Sequence, residues 1–253
     1  MKKNETVVIS GASSGIGQAT ALIFAKNGFD LILLGRNVEN LQKTEALCFK
    51  ENSQSNLQTY ACDIYDVNAN DLQSKSNQTS KITALVNNAG IYHQQPFEST
   101  QIETWIRLFQ TNLLGSIKLT QLLWPEFIKN KCGSIINVSS TLGLKPIANT
   151  SAYSALKSAM INWTESLAIE GGRHNIRANC ICPGIIDTPI HSFHSFSDHE
   201  KTVKVEKNLL NIQLLKNLGK PQDVAEAIYF LATEASRFTT GSILNVDGGI
   251  NLK

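Results

Sequence analysis

Short apolar runs rich in Val, Ile and Leu alternate with longer amphipathic stretches along this 253-residue chain, and that rhythm predicts an α/β fold, a doubly wound Rossmann-type parallel sheet with helices on both faces. The runs are apolar throughout instead of alternating with polar residues, as strands covered on two sides are. A glycine-rich turn, Gly11-Ala-Ser-Ser-Gly-Ile-Gly17, falls between the first run and the first amphipathic stretch, where such a sheet binds its ligand. The length suits one hydrophobic core, so a single domain spanning 1–253 is expected.

The elements follow in order. Thr6 to Ser10 reads as the first strand and 15–27 as its helix. Asp30 to Leu34 and 38–52 form the next pair, then Ile82 to Val86 with 101–130, and Ser134 to Val138 with 151–171. Arg177 to Cys182, a helix over 221–234 and a last strand, Ile243 to Val246, complete the series. Two stretches break the rhythm. Residues 53–81 are rich in Asn, Gln and Ser around one strand-like run, Leu57 to Cys62, which predicts a short helix and surface loops. Residues 187–215 carry His191, Phe193, His194, Phe196 and His199; these side chains either line an apolar cavity or face solvent.

Charge excludes one class of partner. With 23 basic and 21 acidic residues interspersed, the net charge is +2, so there is no concentrated basic stripe for nucleic acid. The Met-Lys-Lys-Asn-Glu start leads into a run too short and polar for a signal segment or a membrane span, and a cytoplasmic protein is expected. Five cysteines (Cys48, Cys62, Cys132, Cys180, Cys182) lack paired metal-ligand spacing, and no metal site is expected. Cys180-x-Cys182 reads either as a redox or metal pair or, more simply, as alternation along a buried strand.

The glycine turn lets backbone approach a pyrophosphate, and the helix that it opens offers unpaired N–H groups. Gly11, Ser13, Ser14, Gly15, Ile16 and Gly17 are therefore candidate cofactor contacts. Its spacing, Gly-x-x-x-Gly-x-Gly, differs from the Gly-x-Gly-x-x-Gly of many dinucleotide folds; a tight turn without ligand is the alternative. The second strand ends Leu34-Gly-Arg36-Asn37 with no carboxylate. Arg36 would pair with a ribose 2′-phosphate and stack on adenine, so NADP(H) is preferred, with NAD(H) as the alternative.

Tyr153 and Lys157 lie four residues apart in Tyr-Ser-Ala-Leu-Lys, with Ser140 thirteen positions upstream. On a helix that spacing stacks phenol and ammonium on one face. A phenol titrates about three pH units above neutrality, a mismatch of roughly 4 kcal/mol for proton transfer at pH 7. A lysine charge close to the ring would offset part of that mismatch. Ser140 would hydrogen-bond a carbonyl oxygen and stabilise the charge that develops there.

The ordered set Ser10-Gly-Ala-Ser-Ser-Gly-Ile-Gly17, Asn87-Asn-Ala-Gly90, Asn112, Ser139-Ser140, Tyr153-x-x-x-Lys157, Pro183-Gly184 and Val246-Asp-Gly-Gly249 resembles the short-chain dehydrogenase/reductase family across essentially the whole chain. The resemblance implies an oxidoreductase that interconverts a ketone and a secondary alcohol, with transfer of the pro-S hydride. Tyr153 would be the proton donor, Ser140 would orient the carbonyl, and Lys157 would lower the tyrosine pKa while bonding the nicotinamide ribose. Asn112 would hold a water that links Lys157 to solvent. Asp63 and Ile64 would contact adenine, Asn88 with Ala89 and Gly90 the adenosine side, and Ile186 and Thr188 the carboxamide end. Ser10 stands where many members have Thr, and retains the hydroxyl. The segment around 187–215 would close over the substrate.

Relatives that reduce 3-oxoacyl groups on acyl carrier protein share the pattern, and Lys129, Lys131 and Arg173 would then form a basic patch for that acidic partner. Scattered surface charge is an equal account of those three. A steroid, sugar or other small alcohol, or a non-catalytic NADP-binding module, are the alternatives. The resemblance also implies a homotetramer or homodimer, with the helices at 101–130 and 151–171 against a partner.

Overall fold

The computed structural model describes residues 5–68, 80–191 and 211–253. Seven strands form one wholly parallel sheet: β1 (Glu5–Ser10), β2 (Asp30–Gly35), β3 (Leu57–Ala61), β4 (Lys81–Asn87), β5 (Gly133–Val138), β6 (Ile176–Pro183) and β7 (Ile243–Val246), in the order β3-β2-β1-β4-β5-β6-β7. The order in which successive strands are added reverses between β1 and β4, with β2 and β3 on one side of β1 and β4 to β7 on the other. A crevice opens there at the carboxyl ends of the strands.

Helices α1 (Gly15–Lys26), α2 (Val38–Glu51) and α6 (Pro221–Ala232) cover one face, and α4 (Gly115–Asn130) and α5 (Ser151–Gly172) the other. Strand alternation divides the core accordingly. Val7, Ile9, Leu31 and Leu33 pack with Phe24 of α1 and Ile228 of α6. Val8, Ile32, Leu34, Leu85 and Ile135 pack with Leu119, Leu123 and Phe127 of α4 and Leu167 of α5. Each fully buried aliphatic or aromatic side chain contributes about 1.5–3 kcal/mol of transfer free energy. The strands and helices expected outside 53–81 form with ends displaced by a residue or two, except that the stretch 101–130 is divided.

Three local features position the site. The amphipathic stretch expected over 101–130 is three pieces: α3 (Ile102–Phe109), a π-helical turn (Gln110–Leu114) and α4. Leu108, Leu113, Ala152, Leu156 and Met160 pack together, fastening that π turn to α5. α6 starts at Pro221, where a missing N–H costs nothing, and the Lys220 N–H donates to the Asp223 carboxylate at 2.7 Å. In the polar stretch 53–81 β3 forms, and residues 69–79, which bear on the short helix expected there, lie outside the described residues.

Candidate active site

The turn after β1 is built for close approach. Gly11 and Gly15 take positive φ, +67° and +53°, which L side chains rarely adopt. A Cβ on Gly17 would lie 2.2 Å from the Gly11 carbonyl oxygen, so this helix start packs directly on the turn. Ser14, the residue before α1, makes no side-chain cap, and the first turn holds no acidic residue. Its N–H groups and positive dipole end therefore face the crevice, ready for an anion.

Ser10 ties the turn to the next motif. Its Oγ accepts from the N–H groups of Asn88 (3.0 Å) and Ala89 (3.1 Å) and donates to the Val86 carbonyl (3.3 Å). Asn88 returns the connection: its Nδ2 donates to the Ser10 and Gly11 carbonyls. The Asn88 side chain thus braces the glycine turn, while the residue still lines the crevice. Asn87 turns inward and donates to Thr120 Oγ1 and Asn137 Oδ1, a structural role.

A cleft of about 400 Å³ runs over this turn, lined by Gly11, Ser13, Ser14, Gly15, Ile16, Arg36, Asn37, Asp63, Ile64, Asn88, Ala89, Gly90 and Thr188. The residues expected from the sequence to hold the adenosine and phosphates are there except Gly17, which packs beneath the turn on Gly11, and Cys62, Thr111 and Ile190, which the sequence did not single out, join them. The Asn37 side chain is engaged as the cap of α2, accepting from Asn40 N at 2.8 Å. Arg36 is not alone at its strand end. The Asp63 carboxylate, brought up by β3, lies 3.9 Å from its guanidinium, so the carboxylate missing from β2 arrives from the neighbouring strand.

Ile16, Asn88, Gly90, Thr188 and Ile190 continue into a second recess of about 100 Å³, which Tyr92, Ser140, Leu142, Tyr153, Lys157, Pro183, Gly184 and Ile186 complete. Here the proposed catalytic set converges. Tyr153 and Lys157 sit one turn apart on α5, both buried, with Nζ 5.7 Å from the ring centroid. Tyr92 packs edge-on against the Tyr153 ring, centroids 5.0 Å apart. Lys157 Nζ donates to the Val138 carbonyl at 2.8 Å. Ser139 points away, its hydroxyl donating to the Lys157 carbonyl at 2.7 Å, and Ser140 faces the recess, accepting from Leu142 N at 3.2 Å.

Asn112 sits in the π turn, fully buried, and bonds the Ile91 backbone twice: Oδ1 accepts from its N–H at 2.7 Å and Nδ2 donates to its carbonyl at 3.0 Å. The extra residue of a π turn aims that side chain. Gly90 is where Asn112 and Lys157 come nearest: a Cβ there would meet Asn112 Oδ1 at 2.9 Å and Lys157 Nζ at 3.7 Å.

The electrostatics differ from the sequence expectation. Burial pushes the Tyr153 phenol well above its ordinary value, the Ser140 hydroxyl pulls it back only in part, and Tyr92 raises it further. The ammonium does not outweigh that burial, since its hydrogen bond goes to Val138 and not to the phenol. Lys157 itself is pushed down to about 8 by burial, against a partial upward pull from Cys180 and Cys182. Those two cysteines lie wholly buried in β6.

Other expected contributors lie elsewhere. Phe193, His194, Phe196 and His199 are outside the described residues. Lys131 and Arg173 follow α4 and α5 just before β5 and β6 begin. They therefore stand at the amino ends of the strands, with the length of a strand, roughly 20 Å, between them and the cleft. Lys129, two residues earlier, pairs with Glu126 at 3.9 Å. No patch for a carrier protein forms at the cleft mouth from these three.

Comparisons with known proteins agree with this geometry. Residues 11–251 match the protein family described as Enoyl-(Acyl carrier protein) reductase. The 3-oxoacyl-acyl-carrier-protein reductase FabG of Thermotoga maritima is 32% identical over 259 residues, covering 98% of each chain. The crystal structure of YwfH, an NADPH-dependent reductase involved in bacilysin biosynthesis, superposes with a TM-score of 0.90 at 28% identity, over 98% of both chains. NAD+-bound xylitol dehydrogenase superposes with a TM-score of 0.89 at 26% identity, over 98% of this chain and all of that one. With a nicotinamide-cofactor cleft, an oxidoreductase fold and relatives along its whole length, this chain belongs to the short-chain dehydrogenase/reductase family and is an enzyme acting on CH–OH groups.

Proposed function

We propose that the protein is an NADP(H)-dependent ketone reductase, a single domain over 1–253 in which Tyr153, Ser140, Lys157 and Asn112 carry the chemistry. The observation that carries this reading is the convergence of Tyr153, Ser140 and Lys157 in a recess continuous with the glycine cleft, with Asn112 buried behind them on the Ile91 backbone. When bound, a reduced nicotinamide supplies the hydride. The residues of the chain do the rest: Ser140 donates to the carbonyl oxygen, and Tyr153 gives that oxygen its proton. Lys157 orients the ribose, with Asn112 behind it.

Burial favours the protonated phenol, the form that donates to a carbonyl oxygen. A catalyst speeds both directions alike, so the proposal of reduction rests on the preference for NADPH and not on the phenol.

Arg36 supports NADPH over NADH, because a 2′-phosphate would offer the guanidinium a doubly charged partner in place of the single carboxylate of Asp63, 3.9 Å away. The substrate class is a ketone or secondary alcohol, with a 3-oxoacyl thioester first in line because of the 32% identity to FabG. A sugar alcohol is the second reading, favoured by the likeness to xylitol dehydrogenase. Among the described residues no helix is long and apolar enough to cross a membrane, and we place the protein in the cytoplasm. Ile102, Ile106 and Phe109 expose apolar surface along α3, as do Ile128 on α4 and Ile169 on α5. That surface supports a homotetramer or homodimer closed by these helices.

The test is consumption of NADPH, followed by nicotinamide absorbance, with a panel of ketones, sugars, steroids and 3-oxoacyl thioesters, each repeated with NADH. Turnover of one class with NADPH bears the proposal out. Tight binding of NADPH without turnover of any compound would instead favour a non-catalytic module.

A further inference from the structure

Between Pro183 and α6 the chain leaves the sheet and returns, and the two ends of that excursion are fastened to each other. Ile186 and Gly219 form a parallel bridge, with Asp187 N donating to the Gly219 carbonyl at 2.8 Å and Gly219 N to the Ile185 carbonyl at 3.1 Å. The fit is tight: a Cβ on Gly219 would lie 2.5 Å from Ile186 Cδ1. Ile186 and Thr188, on the outgoing end, form the wall shared by the catalytic recess and, through Thr188, the dinucleotide cleft.

The returning end is held by a second set of bonds. Leu214 N and Leu215 N both donate to the Gly248 carbonyl, each at 2.9 Å. Gln213 is 2% exposed, and its Nε2 donates to the carbonyls of Leu215 and Asn217, each at 2.6 Å. Two carbonyl partners leave only the amide nitrogen able to bond there, so the orientation of this side chain is fixed by chemistry. Gly248, at φ +60°, packs against the same side chain, its Cβ position 3.4 Å from Gln213 Cδ. The neighbouring Asp247 backbone closes on Gly184, a wall of the catalytic recess.

We propose that Gln213 is a positioning residue for the nicotinamide end of the cofactor. Its amide folds residues 213–217 into the shape that presents Gly219 to Ile186, and Ile186 with Thr188 then stands at the correct depth beside the bound ring. No other side chain combines this length with two donor hydrogens and no charge. Glutamate would set a carboxylate against two carbonyl oxygens, and methionine would fill the space without bonding. The proposal rests on the dinucleotide reading of the cleft.

The test separates the two ends of the cofactor. NADPH and adenosine 2′,5′-bisphosphate, which lacks the nicotinamide half, are titrated against the wild-type protein, Gln213→Met and Gly219→Ala, with circular dichroism as the check of folding. Both variants are expected to bind NADPH roughly tenfold more weakly while holding the bisphosphate within about twofold of wild type. The Gly219→Ala arm presses on Ile186 from the other side of the bridge and carries the test where Gln213→Met does not fold. Unchanged NADPH affinity, or an equal loss for both ligands, would overturn the proposal. Wild-type protein that binds neither NADPH nor NADH would instead remove the dinucleotide reading on which it stands.

Discussion

Lys157 is buried with its ammonium on one carbonyl oxygen, and that arrangement makes a prediction about stability that does not depend on knowing the substrate. Burial pushes the group from 10.5 down to about 8. Below pH 8 both the folded and the unfolded chain carry the proton, and the folded state bears the full cost of the buried charge. Between about 8 and 10.5 the folded state has lost its proton while the unfolded chain keeps it, so stability rises with pH through that window. At 1.36 kcal/mol per pH unit, the gap between 10.5 and about 8 amounts to about 3 kcal/mol.

Lys157→Met removes the titration and keeps the length of the side chain. It leaves the Val138 carbonyl without its donor, a loss of about 1–3 kcal/mol, but that loss does not vary with pH. The measurement is the urea midpoint of wild type and variant at several values between pH 7 and 10, by circular dichroism. The Cys180 and Cys182 thiols, which also influence this lysine, remain in the variant, so the difference between the two curves belongs chiefly to the lysine. Wild type should gain on the variant by about 1–3 kcal/mol across the window. Parallel curves would refute the placement of a desolvated ammonium behind Tyr153.

Three further outcomes follow from the site. Tyr153→Phe should lower turnover by about 10²–10⁴ while leaving NADPH affinity within a few-fold, read by steady-state rates and fluorescence titration. Arg36→Ala should shrink the preference for NADPH over NADH by about 10- to 100-fold, the worth of a charge-assisted contact; an unchanged ratio of kcat/KM values would place the guanidinium in solvent or on Asp63 alone. Ser10→Ala removes three hydrogen bonds and leaves two N–H groups in the interior, so a loss of about 2–3 kcal/mol and a fall in Tm of about 5–10 °C are expected from thermal melts.

What the sequence could disclose was whatever depends on spacing. Apolar runs marked the central strands β1, β2, β4, β5 and β6 because these are covered on two faces, and the glycines of the first turn marked the cleft because Gly11 and Gly15 take φ angles that L side chains rarely adopt. The family resemblance, with its serine thirteen residues before the tyrosine, points to Ser140, and the hydroxyl of the adjacent Ser139 does turn away, as alternation along a strand has it. What depends on distant segments meeting was not legible. Asp63 reaches Arg36 because β2 and β3 pair in a register that sets Gly35 opposite Ala61, across 26 residues of chain. The π turn that aims Asn112 adds a residue that no helical period announces. Four-residue spacing brings the lysine near the Tyr153 ring but does not fix where its N–H points. The ammonium donates to the Val138 carbonyl, and burial raises the phenol. Spacing therefore locates the pair on one helix face, while the partner of the ammonium is set by a strand carbonyl that no local pattern announces.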